Sequence, residues 1–148
     1  MNIPEYITKQ EVGRVCKELG LRNWSAMKKP KVTIDEARII LRELDTGGMA
    51  VDDEQFRAGL EVELEHGVMF PEANVTNNHP LLTGKIVIAH FKETLDYYKR
   101  LEVAELEGDL LKAIRAGKTD KIRSYYKRLT DARLELSKSE LADLKKGA

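Results

Sequence analysis

The sequence contains a single cysteine, Cys16, so no disulfide can form within the chain. This excludes a disulfide-stabilised secreted scaffold and favours a reducing compartment. Aromatic residues make up only 6% of the chain and charged residues 34%, which is typical of a Lys/Glu-rich helical protein. No apolar run approaches the roughly 20 residues that a bilayer span needs. Residues 1–6 lack the basic and apolar regions of a signal peptide, so we expect a cytoplasmic protein and no membrane partner.

Net charge is also absent, because 25 Lys and Arg residues balance 25 Asp and Glu residues. A neutral chain gives no global reason to bind a polyanion, although a local basic face is compatible with it. We therefore expect no nucleic-acid partner. At 148 residues the chain can bury a core without help from a disulfide or a metal.

Hydrophobic spacing predicts an all-α single domain of five or six helices, resembling a bundle. Thr8 and Thr33 each precede a glutamate by three residues, which is the capping-box pattern of a helix start. The predicted helices cover residues 8–19, 33–44, 52–66, 83–107 and 109–116, followed by a long last helix that starts at Thr119 or Asp120. Glycines end three of them, and Gly108 allows a break. We expect a core domain over residues 1–108 and a C-terminal helical extension over residues 109–148.

The centre of the fold is predicted to be the third and fourth helices. Glu63 and His66 lie three residues apart on the third helix, and His90 and Glu93 lie three residues apart on the fourth. If the two helices pack antiparallel, these four side chains face one another. His90 falls inside an apolar arc, and a buried imidazole needs a hydrogen-bonding partner.

Three interpretations of these four residues remain open. They can form a structural network of carboxylate–imidazole contacts that crosslinks two helices. They can bind zinc, iron or manganese, since helical bundles use Glu-x-x-His to build metal centres, although such centres need further glutamates. The His90–Glu93 pair can also act in acid–base catalysis, but no nucleophile or phosphate-binding motif accompanies it. The structural network is preferred, with no cofactor and no assignable enzymatic activity.

The last helix carries an apolar stripe at alternating spacings of three and four residues. We predict that this stripe mediates contact with a protein partner or a second copy through Tyr125, Leu129, Ala132 and Leu136. The run Tyr97-Tyr-Lys-Arg-Leu101 recurs as Tyr125-Tyr-Lys-Arg-Leu129, which indicates a partial duplication or convergent helix composition.

An ordered series of motifs between residues 8 and 105 resembles a small family of domains of unknown function that occurs in bacteria, archaea and their viruses. The motifs are Glu18-Leu-Gly-Leu21 with Trp24, the segment 56–67, Asn74-Val-Thr76, Thr83-Gly-Lys-Ile86, Ala89-His90, and Asp96-Tyr-Tyr98 with Leu101. The resemblance implies a small helical domain without an assigned activity. It places shared polar residues at Glu63, Glu65, His66, Asn74, Thr76, His90, Glu93 and Tyr97.

The chain departs from the family's usual pattern, which has acidic residues near Asn78-His79 and a proline where Leu95 stands. A metal site that used acids of this loop is therefore weakened here. Residues after Gly108 are additional to the pattern. Together these observations predict a non-enzymatic helical structural or interaction protein, encoded by a phage and associated with the virion. The alternative is a metal-binding protein that uses Glu63, His66, His90 and Glu93.

Overall fold

The computed structural model describes residues 6–146, which form six α-helices and two short 3-10 helices. The α-helices are α1 (Lys9–Glu18), α2 (Ile34–Arg42), α3 (Asp53–Met69), α4 (Pro80–Glu93), α5 (Tyr97–Arg115) and α6 (Thr119–Lys146), and the 3-10 helices cover Trp24–Ala26 and Pro71–Ala73. No strand occurs in this range, so the all-α prediction is confirmed. None of the helices in the range combines the length and the apolar character that crossing a membrane requires. The predicted absence of a signal peptide rests mainly on residues 1–5, which lie outside the described residues, as do residues 147–148.

The first three helices begin where local capping signals predict. The Thr8 hydroxyl accepts a hydrogen bond from the Glu11 N–H at 3.1 Å, and Thr33 forms a complete capping box with Glu36. The Asp52 carboxylate accepts a hydrogen bond from the Gln55 N–H at 2.9 Å. These bonds satisfy donors that the first turn of a helix leaves without a partner.

The predicted fourth helix, residues 83–107, is wrong at both ends and in the middle. Helix α4 starts at Pro80, where the absence of an N–H has no cost at a first helical position. The preceding His79 takes the capping role, because its Nδ1 accepts a hydrogen bond from the Leu82 N–H at 3.4 Å. The helix then stops at Glu93, and a turn at Thr94–Asp96 separates it from α5. At this turn the buried Asp96 carboxylate accepts hydrogen bonds from the Thr94 hydroxyl and from Arg100.

Two further predicted helix ends are also wrong. Helix α3 continues past Gly67 to Met69, and α5 runs through Gly108. A glycine inside a helix costs only about 1 kcal/mol relative to alanine, and packing along a partner helix outweighs that cost. Contacts divide the chain into unit 1 (Met1–Glu93) and unit 2 (Thr94–Ala148), so the predicted domain boundary at Gly108 lies inside α5.

Unit 1 packs α2, α3 and α4 together, with α1 against α4 and the first 3-10 helix. Its largest fully buried side chains include Trp24, Phe56, Ile40, Leu60 and Leu64. Helix α4 approaches α2 closely at Gly84. A Cβ atom on Gly84 would lie 2.6 Å from Leu44 Cδ1 and 2.9 Å from Ile40 Cγ2. The glycine is therefore what lets these two helices come together.

Unit 2 is a hairpin of α5 and α6. Glu107 pairs with Arg133 at 2.6 Å, and Lys99 contacts Ser139 at 3.1 Å, so the two helices run antiparallel. The buried core of the hairpin consists of Leu106, Leu129 and Ala132, with Val103, Leu110 and Tyr125 packed against it.

Candidate functional site

The structure brings three of the four central polar residues together. His90 of α4 lies between two carboxylates, with its Nε2 at 3.5 Å from Glu63 Oε1 and its Nδ1 at 3.5 Å from Glu93 Oε1. The Glu63 side chain is 16% exposed and the His90 side chain 26%, whereas Glu93 is 66% exposed. A carboxylate oxygen therefore lies near each of the two ring nitrogens of His90. The contact between Glu63 and His90 crosslinks α3 to α4.

His66, the fourth predicted residue, is exposed on α3. Its backbone carbonyl accepts a hydrogen bond from the Phe70 N–H at 2.8 Å, which helps to close the helix. Within residues 6–146, no group of three or more His, Cys, Asp or Glu side chains is arranged to hold a metal ion. The contact that joins the two helices is between Glu63 and His90, and the exposed His66 is not part of it.

The segment Asn74 to His79 is held by its own asparagines. The Asn74 amide donates to the Gly67 carbonyl at 3.1 Å and to Asn78 Oδ1 at 2.9 Å. The Asn78 amide reaches the Trp24 carbonyl at 3.4 Å, and the Asn77 amide donates to the Ile7 carbonyl at 2.6 Å. Asn77 and Asn78 have φ values of 48° and 60°, a backbone region that asparagine tolerates better than most residues. These side chains tie the loop to α3 and to the first 3-10 helix.

Gly67 explains why this loop can lie so close to α3. A Cβ atom there would fall 2.5 Å from Asn78 Oδ1 and 2.8 Å from Asn74 Nδ2. The glycine that looked like a helix stop in the sequence instead makes room for two asparagine side chains. Asn74 therefore has a structural role in this fold.

A second polar cluster surrounds Glu36, which sequence reasoning identified only as part of a capping box. Its carboxylate accepts hydrogen bonds from the Thr33 N–H at 2.9 Å, from Arg22 Nε at 2.8 Å and from Trp24 Nε1 at 3.2 Å. Glu36 is buried, and burial alone would raise its pKa, but these hydrogen bonds together lower the pKa below its usual value. Because the partners are up to 14 residues away in sequence, only the fold reveals the cluster.

His79 is the most deeply buried imidazole among the described residues, at 8% exposure. Burial lowers the pKa of its ring, and the positive charges of Arg14 and Lys85 act in the same direction, while Glu11 opposes them. The ring is therefore held as the neutral acceptor that caps the start of α4.

The predicted interaction residues of the last helix lie largely inside the hairpin. Leu129 and Ala132 are buried at 3% and 7% exposure against α5, and Tyr125 packs against the same core. Leu136 is partly buried. This stripe is therefore used within unit 2, and the side chains that α6 leaves exposed lie on its other faces.

At the open end of the hairpin, Asp96 is 3% exposed and is held by Arg100, whose Nη2 lies 2.8 Å from Asp96 Oδ2 and 2.9 Å from Glu140 Oε1. Burial would raise the pKa of Asp96, but the hydrogen bonds from Arg100 and Thr94 lower it. A cavity of about 610 Å³ adjoins this cluster and is also lined by Asp143 and Leu144. The ion pairs join α5 to α6.

These elements define a small all-α protein whose polar side chains mainly connect helices and loops to one another. The chain belongs to DUF5661, a family described as a protein of unknown function, whose profile matches residues 12–107. The match extends from α1 into α5, and the expected membership of a family of unknown function is confirmed. Comparison with curated proteins and with solved structures found no match.

Proposed function

We propose that this chain is a non-enzymatic helical interaction protein that associates with a second copy through the α5–α6 hairpin. The observation that carries the proposal is an excess of exposed apolar side chains on α6. Four large ones are between 54% and 73% exposed: Tyr126, Leu134, Leu141 and Leu144.

Helical spacing groups these side chains. Tyr126 and Leu144 are 18 residues apart, which is five helical turns, and Leu134 and Leu141 are separated by about two turns. All four are exposed, whereas Leu129 and Ala132 are buried in the cluster that α6 forms with Leu106 of α5. Helix α6 thus has one apolar stripe towards α5 and further apolar side chains directed outward. A helix with a second apolar surface is typical of a protein that buries it against a partner.

The small core of the hairpin supports the same proposal. Its buried cluster consists of Leu106, Leu129 and Ala132, and among the described residues the other buried apolar side chains of unit 2 are Tyr98 and Ala113. Short helical units bury little surface by themselves and are commonly stabilised by association. Helix α6 has 28 residues and is about 42 Å long, a length over which an interface of standard size, about 800 Å² per copy, can form.

A role in a phage virion is part of this proposal and rests on the resemblance of the motifs alone. The chain would then be a structural component rather than a catalyst. Detection of the protein in purified particles by mass spectrometry is the test, and its restriction to the infected cell would exclude a virion role. The metal-binding alternative stays a prediction, because no contact observed in the structure favours it over a structural network.

Light scattering coupled to size-exclusion chromatography tests the association. The wild-type chain should elute with twice its 16.8 kDa monomer mass, and Leu141→Glu/Leu144→Glu should elute as a monomer. The matched control is Met69→Glu/Val75→Glu, which changes two exposed apolar residues of unit 1 and should remain dimeric. A wild type that stays monomeric up to about 100 μM, and so has a dimer Kd weaker than the micromolar range, would overturn the proposal. Equal dissociation of both variants would overturn it as well.

A further inference from the structure

Although the chain has no net charge, positive charge is concentrated at the turn of the hairpin. Residues 112–128, here called the basic tip, contain seven Lys or Arg residues and one acid, Asp120. They comprise the end of α5, the turn at residues 116–118 and the start of α6. We infer that the basic tip docks on the phosphate backbone of double-stranded DNA.

The charged side chains of the basic tip form fewer ion pairs than those of the rest of the hairpin. Beyond the tip, most charges are matched, as in Arg133 with Glu107 and Lys138 with Glu135. At the tip, Lys112 pairs with Asp109 and Lys127 with Asp131. Arg128 contacts the ring of Tyr125. Within the part of the chain that the structure describes, no ion pair involves the other four cations of the tip, which are Arg115, Lys118, Lys121 and Arg123.

Helix stability explains the positions of only some of these cations. Lys112 and Arg115 lie in the last turn of α5, where a helix dipole favours positive charge. Lys121 lies in the first turn of α6, where the dipole disfavours positive charge. The cost of placing a cation there is offset if an anion binds beside it.

A cavity places some of these charges together. It has a volume of about 280 Å³ and is lined by Lys112, Lys118 and Lys121, with Asp109 and Tyr125 among the other residues. Three ammonium groups around one cavity, with a single carboxylate, provide a site for a phosphate oxygen.

The same region favours duplex DNA over other polyanionic partners. Arg128 lies over the Tyr125 ring at 5.8 Å from its centroid, so the aromatic ring that lines the cavity is already stacked and does not offer a free platform for an unpaired base. The exposed Tyr126 ring is not among the residues that line the cavity. The turn residues 116–121 include no large apolar side chain to insert into a bilayer. A duplex carries one charge per roughly 1.7 Å of its axis, so the tip of a two-helix hairpin faces several phosphates at once.

Fluorescence anisotropy with a labelled 20-base-pair DNA duplex tests the inference. If four unpaired cations each contact a phosphate, the logarithm of the association constant should fall with the logarithm of salt concentration with a slope of about −3.6. Binding should then weaken by about 100-fold between 50 and 200 mM NaCl. The variant Lys118→Glu/Lys121→Glu should reduce the slope to about −1.8 and weaken binding at least tenfold at 100 mM salt.

The matched control is Lys28→Glu/Lys29→Glu, which makes the same change in net charge on an exposed loop of unit 1. It should leave DNA affinity within about twofold of wild type, and circular dichroism should show equal helix content in all three proteins. Equal weakening by both variants would overturn the inference. So would the absence of salt-dependent binding, or binding of the tip to anionic phospholipid vesicles in place of the duplex.

Discussion

Replacing Gly84 with alanine should destabilise unit 1, because α4 approaches α2 closely at this residue. The added Cβ would lie 2.6 Å from Leu44 Cδ1 and 2.9 Å from Ile40 Cγ2, and 3.3 Å from Phe56 Cζ. Leu44 is only partly buried, so its side chain can turn away. Ile40 is fully buried and branched at Cβ, so its methyl group cannot move without shifting the helix.

The expected magnitude follows from two opposing effects. Adding a methyl group to a well-packed core costs about 1–3 kcal/mol. Alanine in a helix interior is favoured over glycine by about 1 kcal/mol. The net loss in the free energy of unfolding should therefore be about 1 kcal/mol, which lowers the melting temperature of a unit of this size by about 4–8 °C.

Gly108 provides the matched control, since it also lies inside a helix but a Cβ there would meet no atom within 4 Å. Gly108→Ala should stabilise the protein by about 0.5–1 kcal/mol. Thermal and urea unfolding, followed by circular dichroism, measure both variants. In a double-mutant cycle with Leu44→Ala, the cost of the Gly84 methyl should decrease. If Gly84→Ala is as stabilising as Gly108→Ala, the close approach of α2 and α4 described here is wrong.

Two further predictions concern the histidines. The pKa of His79 is lowered in the folded protein, so the unfolded state binds more protons once the pH falls below the ordinary value of about 6.5. The free energy of unfolding should therefore decrease from that pH downward. Urea titrations of His79→Asn should lack this decrease. His90→Ala should lower the free energy of unfolding by about 1 kcal/mol, whereas His66→Ala, at an exposed position, should stay within about 0.5 kcal/mol of wild type. Elemental analysis of the wild type should find no stoichiometric metal. Zinc, iron or manganese that is bound by the wild type and lost from His90→Ala would instead establish a metal centre.

The parts of the fold that sequence predicts well are those with local causes. Thr33 and Glu36 satisfy each other's backbone within one helical turn, so a four-residue pattern is enough to place the start of α2. The break before α5, in contrast, has no cause that a local sequence pattern shows. It depends on the buried Asp96 carboxylate and the Arg100 guanidinium that neutralises it, and neither burial nor that pairing is visible in a helical pattern.

In the candidate site, too, helical spacing predicts some features, and others depend on tertiary packing. Helical spacing places His90 on an inward arc, and antiparallel packing of α3 and α4 then brings it to Glu63. His66 lies about 60° from Glu63 around α3, on the side away from the buried Leu60 and Leu64, and the structure leaves it exposed. The cluster at Glu36 was missed because Trp24 and Arg22 come from a different segment, and only tertiary packing unites them.

The repeated pentapeptide shows how strongly packing overrides local sequence. The same five residues, Tyr-Tyr-Lys-Arg-Leu, occupy 97–101 of α5 and 125–129 of α6. Their second tyrosines differ sharply, since Tyr98 is 6% exposed and Tyr126 is 63% exposed. In an antiparallel hairpin the two copies point in opposite directions, so equivalent residues do not meet equivalent neighbours. The repetition therefore does not form a structural repeat, and the copy in α6 leaves an aromatic ring and basic side chains exposed on the part of the hairpin proposed here to bind partners.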